Sequence, residues 1–373
     1  MKKTSPDQLI TELFASADIL INGSRPWDIH VHNEDFYKRL MAGGSIALGE
    51  SYMDAWWDCE ALDQFFDRLL KARLDHKAKK SLKTLWSGAM AALTSSPGRW
   101  RAFAVGRRHY DIGNELFSLM LDKSMNYSCA YWKGAGNLDD AQEAKMDLIC
   151  RKLQLQSGMR LLDVGCGWGG LAAYAARRYG AEVVGITVSR EQVQKARQRC
   201  EGLPVTIEFK DYRRMNEPFD RIVSVGMFEH VGVGHYRTFM RILRRCLAPE
   251  GLCLLHTIGS NRSVRSCDPW ISKYIFPNSM LPSARQITAA AEKRLVLEDW
   301  HSFGPHYDRT LMAWHAHFNE HWPRISKSYD GRFFRMWNYY LLSSAGAFRA
   351  RRNQLWQIVF SAEGIRHGYD SVR

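Results

Sequence analysis

The stretch RLLDVGCGWGGLAAYAARRYG, residues 160–180, predicts a strand, a glycine-rich turn and a helix in direct succession. Gly165, Gly167 and Gly170 fit the pattern G-x-G-x-x-G, whose glycines permit a tight turn and a close approach of the backbone to a ligand. The pattern alone is also compatible with an ordinary tight turn. Because it lies between an apolar run and a helical one, it predicts a Rossmann-like nucleotide site.

Alternating strands and helices continue on both sides of this turn. The predicted strands are MRLLDVG, AEVVGIT, VTIEFKD, FDRIVSVGM and LCLLHTI, and helices separate most of them. Such alternation indicates an α/β fold whose parallel sheet is covered on both faces. Ligands bind at the carboxyl ends of such strands, and these ends carry Gly165, Thr187, Asp211, Glu229 and His256.

Residues 1–75 have a different character and predict a small, mainly helical N-terminal domain. ADILINGSRPWDIHVHN predicts a hairpin around Asn22 and Gly23, and DFYKRLMAGG predicts a helix that ends at Gly43 and Gly44. An aromatic-rich helical region follows, which suits a boundary between apolar and aqueous surroundings, so we expect this domain to associate with lipid. Residues 76–104 are basic and contain Ser-Ser-Pro-Gly, which predicts a linker before a catalytic domain at 105–373.

The amino-acid composition limits the classes of partner that the protein could bind. The chain has 373 residues and carries 52 Lys and Arg against 39 Asp and Glu, a formal net charge of +13. This balance favours a polyanionic partner, either nucleic acid or an anionic membrane surface, and a solvated basic surface is the alternative. No apolar run suits a spanning helix, and the N-terminus lacks the features of a signal peptide. The eight cysteines are scattered without metal-ligand spacing, so we expect reduced thiols in a cytoplasmic protein and no metal site.

The nucleotide is not expected to be a dinucleotide. A dinucleotide site places an acidic residue after the second strand for the ribose hydroxyls, but VVGITVSREQ offers Thr187 and no acid before Glu191. Asp163 instead precedes the glycines, and LDVGCGWG resembles motif I of class I S-adenosylmethionine methyltransferases. The predicted fold class is therefore α/β, with a Rossmann-like methyltransferase domain of this class and a small helical N-terminal domain.

Further segments narrow the resemblance. The chain resembles bacterial cyclopropane-fatty-acyl-phospholipid synthases and the related mycolic acid cyclopropane synthases over nearly its whole length. The segments that carry this resemblance are HYDIGNELFSLMLDKSMNYSCAYW (109–132), LLDVGCGWGGLA (161–172), RIVSVGMFEHVG (221–232), LLHTIG (254–259), KYIFPNSMLPS (273–283), HYDRTLMAW (306–314) and AGAFRARRNQLWQIVFS (345–361). NYSCAYW, GMFEHVG and AGAFRAR are more specific than the glycine pattern, which many methyltransferases share.

The resemblance implies an activity and two bound molecules. Such enzymes transfer the sulfonium methyl group of S-adenosylmethionine to a cis double bond of a phospholipid acyl chain, after which a proton is lost and a cyclopropane ring closes. The residues implied to bind S-adenosylmethionine are Tyr127, Ser128, Asp163, Gly165, Gly167, Gly169, Thr187, Gln192, Asp211 and Tyr212. A bicarbonate ion that serves as the base is implied to be held by the side chains of Cys129, Glu229, His256 and Tyr307 with the backbone N–H of Ile258.

Some alternatives stay open at this point. Glu229 or His256 could act directly as the general base, and Cys129 could be a buried thiol. Ser344 occupies the position before AGAFRAR where some relatives carry a cysteine, so a covalent thiol route does not apply there. The protein could also be a methyltransferase that adds methyl to another lipid or small molecule without ring closure. A nucleic-acid enzyme is disfavoured because it would lack the FEH and LLHTIG segments.

The resemblance also implies partners and a location. We expect an anionic membrane surface with unsaturated phospholipids, a homodimer, and no nucleic acid. A basic protein without a spanning segment would then lie in the cytoplasm, peripherally associated with the inner leaflet of the membrane.

Overall fold

A computed structural model describes residues 5–73, 113–264 and 266–373. These residues form two compact units. One combines the described part of Met1–Ser95 with Asp268–Pro277 and Leu311–Arg352, and the other combines the described part of Ser96–Cys267 with Asn278–Thr310 and Asn353–Arg373. The predicted linker at 76–104 lies outside the described residues. The units differ from a division at residue 75, because two segments of the predicted catalytic domain, 105–373, belong to the first unit.

The elements of the described residues are as follows in chain order. The strands are β1 (His30–Val31), β2 (Trp57–Asp58), β3 (Arg160–Val164), β4 (Glu182–Thr187), β5 (Val205–Phe209), β6 (Phe219–Val225), β7 (Leu247–Ser260), β8 (Val296–Ser302) and β9 (Asn353–Ser361). The α-helices are α1 (Pro6–Ala15), α2 (Asp35–Met53), α3 (Leu62–Lys71), α4 (Asn114–Met120), α5 (Leu138–Lys152), α6 (Gly170–Tyr179), α7 (Arg190–Arg199), α8 (Tyr236–Cys246), α9 (Pro269–Tyr274), α10 (Ala284–Ala291), α11 (Pro305–Glu320), α12 (Trp322–Ile325) and α13 (Gly331–Arg349).

The second unit is built on a seven-stranded sheet in the order β5-β4-β3-β6-β7-β9-β8. Neighbours from β5 to β7 pair in parallel, and β9 is antiparallel to both β7 and β8. The five predicted strands are confirmed, and so is the α/β fold class. The strand order reverses between β3 and β6, and in such sheets the crevice at the carboxyl ends of the two reversing strands is the usual ligand site.

Apolar residues cover both faces of this sheet. One cluster lies around Phe239 and Leu243 of α8, and the other around Ala172 and Ala175 of α6. The small alanines of α6 let the helix approach the sheet closely, which brings the glycine-rich turn next to its neighbours at the carboxyl edge.

The first unit joins segments that are far apart in the sequence. Gly346 of α13 packs so closely on α3 that an added Cβ would lie 2.7 Å from the backbone oxygen of Asp63. Arg349 Nη1 lies 2.6 Å from Asp63 Oδ2. Gly49 of α2 contacts the indole of Trp270, where an added Cβ would lie 2.3 Å from the ring. These close contacts explain why α9 and α13 belong with the N-terminal residues rather than with the sheet.

Two local predictions in the first unit have opposite outcomes. The hairpin around Asn22 is wrong, because Ile21 and Ile29 form only an isolated parallel bridge, and β1 pairs with β2. The loop is held by the carboxylate of Asp28, which accepts hydrogen bonds from the N–H groups of Leu20 at 2.8 Å and Arg25 at 3.0 Å. The predicted helix end at Gly43 and Gly44 is confirmed: Gly44 adopts a non-helical φ of 56° and ψ of −130°, so α2 consists of two helical segments joined at this kink, and the second runs to Met53. Within the described ranges, no helix is both long and apolar enough to cross a membrane.

Candidate active site

The glycine-rich turn follows β3 directly. The N–H groups of Gly165 and Cys166 donate to the carbonyl oxygen of Ile186 at 2.9 and 3.0 Å, which fixes the start of the turn against β4. Gly167 has φ +55°, and a Cβ added there would have no described atom within 4 Å. This position therefore faces open space, as a position that approaches a ligand must.

Gly169 has a different surrounding from Gly167. A Cβ at Gly169 would lie 3.1 Å from Ala196 Cβ and 3.2 Å from Cys200 Sγ. Ala196 belongs to α7 and Cys200 follows it, so the missing side chain lets this helix pack against the turn. The structure thus gives Gly169 a packing role, although the resemblance groups it with the cofactor residues.

Tyr127 and Ser128 lie beside the glycine-rich turn. The ring of Phe117 in α4 contacts both the Tyr127 ring, at 5.0 Å between centroids, and the Trp168 ring, at 5.2 Å. Trp168 Nε1 also donates to Asn114 Oδ1 at 2.9 Å. The aromatic contacts therefore place the segment before Cys129 over the turn, where the cofactor is expected.

At the end of β4, a hydrogen bond joins the side chains of Thr187 and Gln192. Thr187 Oγ1 donates to Gln192 Oε1 at 2.7 Å, and both side chains are buried. Ser189 caps α7 by accepting from the Gln192 N–H at 3.3 Å. Since the carboxamide oxygen of Gln192 is used by Thr187, its NH₂ group is the part that can donate to a ligand.

Asp211 and Tyr212 are both engaged by protein groups. The guanidinium of Arg213 contacts the Asp211 carboxylate with both Nε, at 2.9 Å, and Nη2, at 2.5 Å. Burial opposes ionisation of Asp211, but the hydrogen bonds from Arg213 outweigh it and lower the pKa of this carboxyl. The Tyr212 ring packs edge-on against Phe239 at 5.2 Å, and burial raises its pKa to about 12. A cofactor would therefore meet Asp211 as an ionised group already oriented by Arg213.

A buried acid and a buried base lie beneath the crevice. Asp163, at the end of β3, is 2% exposed, and burial raises its pKa to about 7 against the opposing charge of Lys145. Lys145 in α5 is 1% exposed, and burial lowers its pKa to about 8. Sequence reasoning did not identify Lys145. The available signal was a polar pair, Gln142 and Lys145, one turn apart on the apolar side of a predicted helix.

Glu229 lies in the 3-10 turn Phe228–His230, which follows β6. The pairing of β6 with β7 ends at Val225 and His256, so the N–H of Ile258 extends beyond the ladder. Glu229 Oε1 accepts from this N–H at 2.7 Å, while Oε2 is buried and has no hydrogen-bond partner among the described residues. Burial raises the pKa of Glu229 to about 7, although the Ile258 N–H opposes this shift. Ile258 thus orients the carboxyl group. Its N–H was expected to hold a bicarbonate ion, but in this structure it is already used by Glu229.

His256 lies on β7 two residues before Ile258. Gln357 of β9 is its paired residue across the sheet, and Gln357 Nε2 lies 3.2 Å from His256 Nδ1. Burial lowers the pKa of His256 well below 6.5, so the ring is neutral at pH 7. Its Nε2 is buried and finds no partner within the described part of the chain. Gln357 was not identified from the sequence, although it is a polar residue within the apolar strand NQLWQIVFS.

Cys129 and Tyr307 complete the predicted set in the second unit. Cys129 Sγ donates to the carbonyl oxygen of Ala130 at 3.3 Å and lies 3.9 Å from Thr310 Oγ1. Burial raises the pKa of this thiol far above its usual value, so it is protonated at neutral pH. Tyr307 is buried in the first turn of α11, one turn before Thr310. Sequence reasoning missed Thr310, whose hydroxyl also accepts from Trp132 Nε1 at 2.9 Å.

These features define a class of protein. A sheet in this order with an antiparallel final strand, a glycine-rich turn after its first strand and polar groups at the reversal point is the fold of class I S-adenosylmethionine-dependent methyltransferases. The chain belongs to the mycolic acid cyclopropane synthetase family, whose family model matches residues 99–358.

Comparison with individual proteins agrees with this membership. The chain is 55% identical over 366 residues to the cyclopropane-fatty-acyl-phospholipid synthase of Escherichia coli, which covers 98% of this chain and 96% of that protein. It is 32% identical over 360 residues to the tuberculostearic acid methyltransferase UfaA1 of Mycobacterium tuberculosis, covering 90% of this chain and 83% of that one. The crystal structure of the mycolic acid cyclopropane synthase CmaA1 complexed with SAH and CTAB matches with a TM-score of 0.65 and 32% identity, covering 69% of this chain and 97% of that chain.

Proposed function

We propose that this protein transfers a methylene group from S-adenosylmethionine to the cis double bond of unsaturated phospholipid acyl chains and so forms a cyclopropane ring. The likeness to the Escherichia coli synthase along 98% of the chain supports the activity. The observation in the structure that carries the proposal is the pair of buried atoms, Glu229 Oε2 and His256 Nε2, that lack partners among the described residues at the ends of adjacent strands. Buried polar atoms are rarely left unpaired, so this pair favours a site built for a polar ligand.

S-adenosylmethionine supplies the methyl group as a sulfonium electrophile. The open space at Gly167, the NH₂ group of Gln192 and the ionised carboxylate of Asp211 support its placement along the ends of β3, β4 and β5. The solved relative CmaA1 was complexed with SAH, which supports a cofactor of this kind. Tyr127 and Ser128 would then close the crevice from the side of α4.

Ring closure makes a demand that simple methylation does not. Transfer of methyl to a double bond leaves a positive charge on the acyl chain, and the ring forms when a C–H bond of the added group gives up its proton. A proton acceptor must therefore lie near an apolar chain. Bicarbonate bound by Glu229, His256, Cys129 and Tyr307 would supply that acceptor, and the unpartnered Oε2 and Nε2 atoms fit such an ion.

The protonation states of His256 and Glu229 suit the binding of an anion. His256 is neutral at pH 7, so its ring can donate one hydrogen bond to an anion without adding a charge. Glu229, with a pKa of about 7, exists near neutral pH in both its donor and its acceptor form. Both side chains are buried, and an acyl chain bound next to them would be shielded from water, which would otherwise add to the positively charged carbon.

The chemical test distinguishes ring closure from methylation. The protein is incubated with S-adenosylmethionine and vesicles of cis-unsaturated phospholipid, with saturated phospholipid as the control, and the acyl chains are examined by mass spectrometry and NMR. We expect chains that are one CH₂ unit heavier and show the proton signals of a three-membered ring. A methyl-branched product would support the alternative, a lipid methyltransferase without ring closure. No transfer to either lipid would overturn both.

We also propose a peripheral location on the inner leaflet of the membrane. The formal net charge of +13 supports attraction to anionic phospholipid headgroups. Sedimentation with vesicles at low and high salt tests this, and we expect binding to anionic vesicles that falls as salt screens the contact. Equal, salt-insensitive binding to neutral vesicles would contradict the proposal. A homodimer is proposed from the family resemblance, and analytical ultracentrifugation checks it.

A further inference from the structure

Helix α5 carries two buried polar side chains one turn apart, Gln142 and Lys145, which are 0% and 1% exposed. Gln142 Nε2 donates to the carbonyl oxygens of Ser128, at 2.9 Å, and Asn126, at 3.2 Å. Lys145 Nζ donates to Ser128 Oγ at 2.9 Å and to Asn126 Oδ1 at 3.2 Å. Four hydrogen bonds from one helix therefore hold Asn126 and Ser128, the residues on either side of Tyr127, through both their main chain and their side chains.

The segment 126–128 lies at the point where the strand order of the sheet reverses. A Cβ added to Gly170, at the start of α6, would lie 3.3 Å from Asn126 Oδ1. A Cβ added to Gly226, just after β6, would lie 4.0 Å from Ser128 Cβ. Asn126 thus lies near Gly170 and Ser128 near Gly226, and the ring of Tyr127, between them in the sequence, packs against the ring of Phe117. The residues that α5 fixes thus line the crevice between the ends of β3 and β6.

This arrangement is costly, which indicates that it serves more than packing. A fully buried lysine loses the hydration of its ammonium group, and this is why burial lowers the pKa of Lys145 to about 8. Gln142 Oε1 is buried and has no partner in the described ranges. An apolar side chain at either position would avoid these costs, but it would leave Ser128 Oγ and the carbonyl oxygens of the segment without donors.

We propose that Gln142 and Lys145 are positioning residues for S-adenosylmethionine, and that they act by holding Tyr127 and Ser128 in the geometry that closes the crevice on the cofactor. Neither side chain needs to touch the cofactor. The inference rests on the proposed function only in taking S-adenosylmethionine as the ligand of this crevice. It makes no use of the lipid or of ring closure.

The chain offers a matched control in the same helix. Lys152 is also fully buried, at 0% exposed, and burial likewise lowers its pKa, to about 7. Its ammonium group lies 3.0 Å from His301 Nδ1 and 3.8 Å from Asp299 Oδ2. Lys152→Met therefore removes a buried lysine from α5 and keeps the hydrogen bonds that Gln142 and Lys145 donate to Asn126 and Ser128. Loss of stability alone should affect both variants, whereas a positioning role should affect only Lys145→Met.

The experiment measures affinity for S-adenosylhomocysteine by calorimetry, and kcat and KM with S-adenosylmethionine, on the full chain. We expect Lys145→Met to raise Kd and the KM for S-adenosylmethionine about tenfold or more, because it removes hydrogen bonds from a charged donor. The value of kcat at saturating cofactor should stay within about threefold of the parent. Lys152→Met should lower Tm and leave Kd within about twofold, a change too small to signal a lost hydrogen bond.

A second variant covers the case in which Lys145→Met does not fold. Ser128→Ala removes the hydroxyl acceptor with little change in volume, and it should weaken S-adenosylhomocysteine binding about tenfold. In the double variant the two losses should add only in part, because both substitutions remove the hydrogen bond between Lys145 and Ser128. Unchanged affinity in Ser128→Ala, or equal weakening in Lys145→Met and Lys152→Met, overturns the inference. A parent protein that binds S-adenosylhomocysteine but makes no ring overturns the proposed function and leaves this inference standing.

Discussion

The backbone N–H of Ile258 donates a hydrogen bond of 2.7 Å to Glu229 Oε1, and this contact joins two strands beyond the end of their regular pairing. It fixes one carboxylate oxygen and leaves the other, Oε2, buried without a hydrogen-bond partner among the described residues. The neighbouring His256 is held in the same way, by Gln357 on one nitrogen, with the other nitrogen unpartnered among the described residues. Each side chain therefore has one atom that fixes its orientation and one buried atom without a partner among the described residues, which is the atom that we propose meets a ligand.

The raised pKa of Glu229 predicts a pH-dependent stability. In the folded state this pKa is about 7, above its unfolded value of 4.5, so the folded protein binds the proton more tightly. The stability that protonated Glu229 contributes is fully present below pH 4.5. It is lost as the pH rises through the folded-state pKa of about 7. The loss between the two values is of order 3 kcal/mol in the free energy of unfolding.

Glu229→Gln isolates this contribution, because the amide keeps the bond to Ile258 but does not titrate. We expect the stability of the parent, relative to this variant, to decrease by roughly 3 kcal/mol between about pH 4.5 and pH 8. Denaturant unfolding of both proteins at several pH values measures the difference. A difference that is constant with pH would show that the Glu229 pKa is not raised by burial.

The sequence predicted the parallel part of the sheet because its strands are apolar and bounded by clear turns. It did not predict the antiparallel pair β8 and β9, since the polar residues of VLEDWHS and NQLWQIVFS interrupt their apolar pattern. The polar residues in these two strands make specific contacts: Gln357 orients His256, and Asp299 lies 2.7 Å from Arg373. Contacts across strands that are a hundred residues apart leave no local pattern to read.

The candidate site is limited in the same way, because some of its contacts join residues that are far apart in the sequence. Gly165, Thr187, Glu229 and His256 could be proposed from the sequence because they lie at or just after the ends of predicted strands. Lys145 could not, because its only local signal, a polar pair with Gln142 on the apolar side of a helix, does not show which groups the two side chains contact. The first unit shows a related limit: α13 reaches α3 through tertiary contacts, such as that of Gly346, which the sequence cannot reveal.

Gly167 and Gly169 predict opposite phenotypes for the same substitution. Both have positive φ, +55° and +78°, so a valine costs some backbone strain at either position. Gly167→Val would fill the open space of the crevice, and we expect an affinity for S-adenosylhomocysteine that is lower by about tenfold or more, with the fold retained. Gly169→Val would collide with Ala196 and should cost about 1–3 kcal/mol of stability beyond that strain.

Calorimetry and thermal unfolding on both glycine variants separate the two roles. The expected pattern is a binding defect at Gly167 and a stability defect at Gly169. If Gly167→Val binds S-adenosylhomocysteine as tightly as the parent, the crevice is not the cofactor site. If Gly169→Val unfolds at the temperature of the parent, α7 does not pack against this turn as the structure shows.

Gln357 should control which nitrogen of His256 carries the proton. Its amide group faces Nδ1 at 3.2 Å, so donation from the NH₂ group places the proton on Nε2, where the ring can donate to a ligand. Gln357→Glu replaces this donor with a carboxylate that accepts from Nδ1 and leaves Nε2 as an acceptor. We expect turnover to fall about tenfold while affinity for S-adenosylhomocysteine is unchanged.

Nitrogen-15 NMR of the histidine rings reports the tautomer directly in parent and variant. The matched control is Gln354→Glu, which adds the same charge to β9 on the opposite face of the strand. A parent His256 with its proton on Nδ1 would contradict the assignment. So would equal loss of turnover in the two glutamate variants, because the effect would then come from the charge and not from the contact.

The final prediction concerns the base that removes the proton. If bicarbonate is bound by Glu229 and His256, turnover of the parent in carbonate-depleted buffer should rise and saturate as bicarbonate is added. Glu229→Gln keeps the shape of the side chain but presents an NH₂ donor where an acceptor is needed, and it cannot ionise. A hydrogen bond to a charged group contributes about 1.5–3 kcal/mol, so turnover should fall about ten- to hundredfold. Affinity for S-adenosylhomocysteine should not change, since Glu229 lies outside the glycine-rich turn.

His256→Ala separates the bicarbonate mechanism from direct catalysis by the histidine. If the ring only helps to hold the ion, its loss weakens ion binding, and high bicarbonate should restore part of the activity. If His256 itself accepts the proton, added bicarbonate should not restore activity, because the base is gone. A parent that is indifferent to bicarbonate, together with a fully active Glu229→Gln variant, would rule out the ion as the base. The hydrogen bond to Ile258 would then be a structural contact that closes the end of β7.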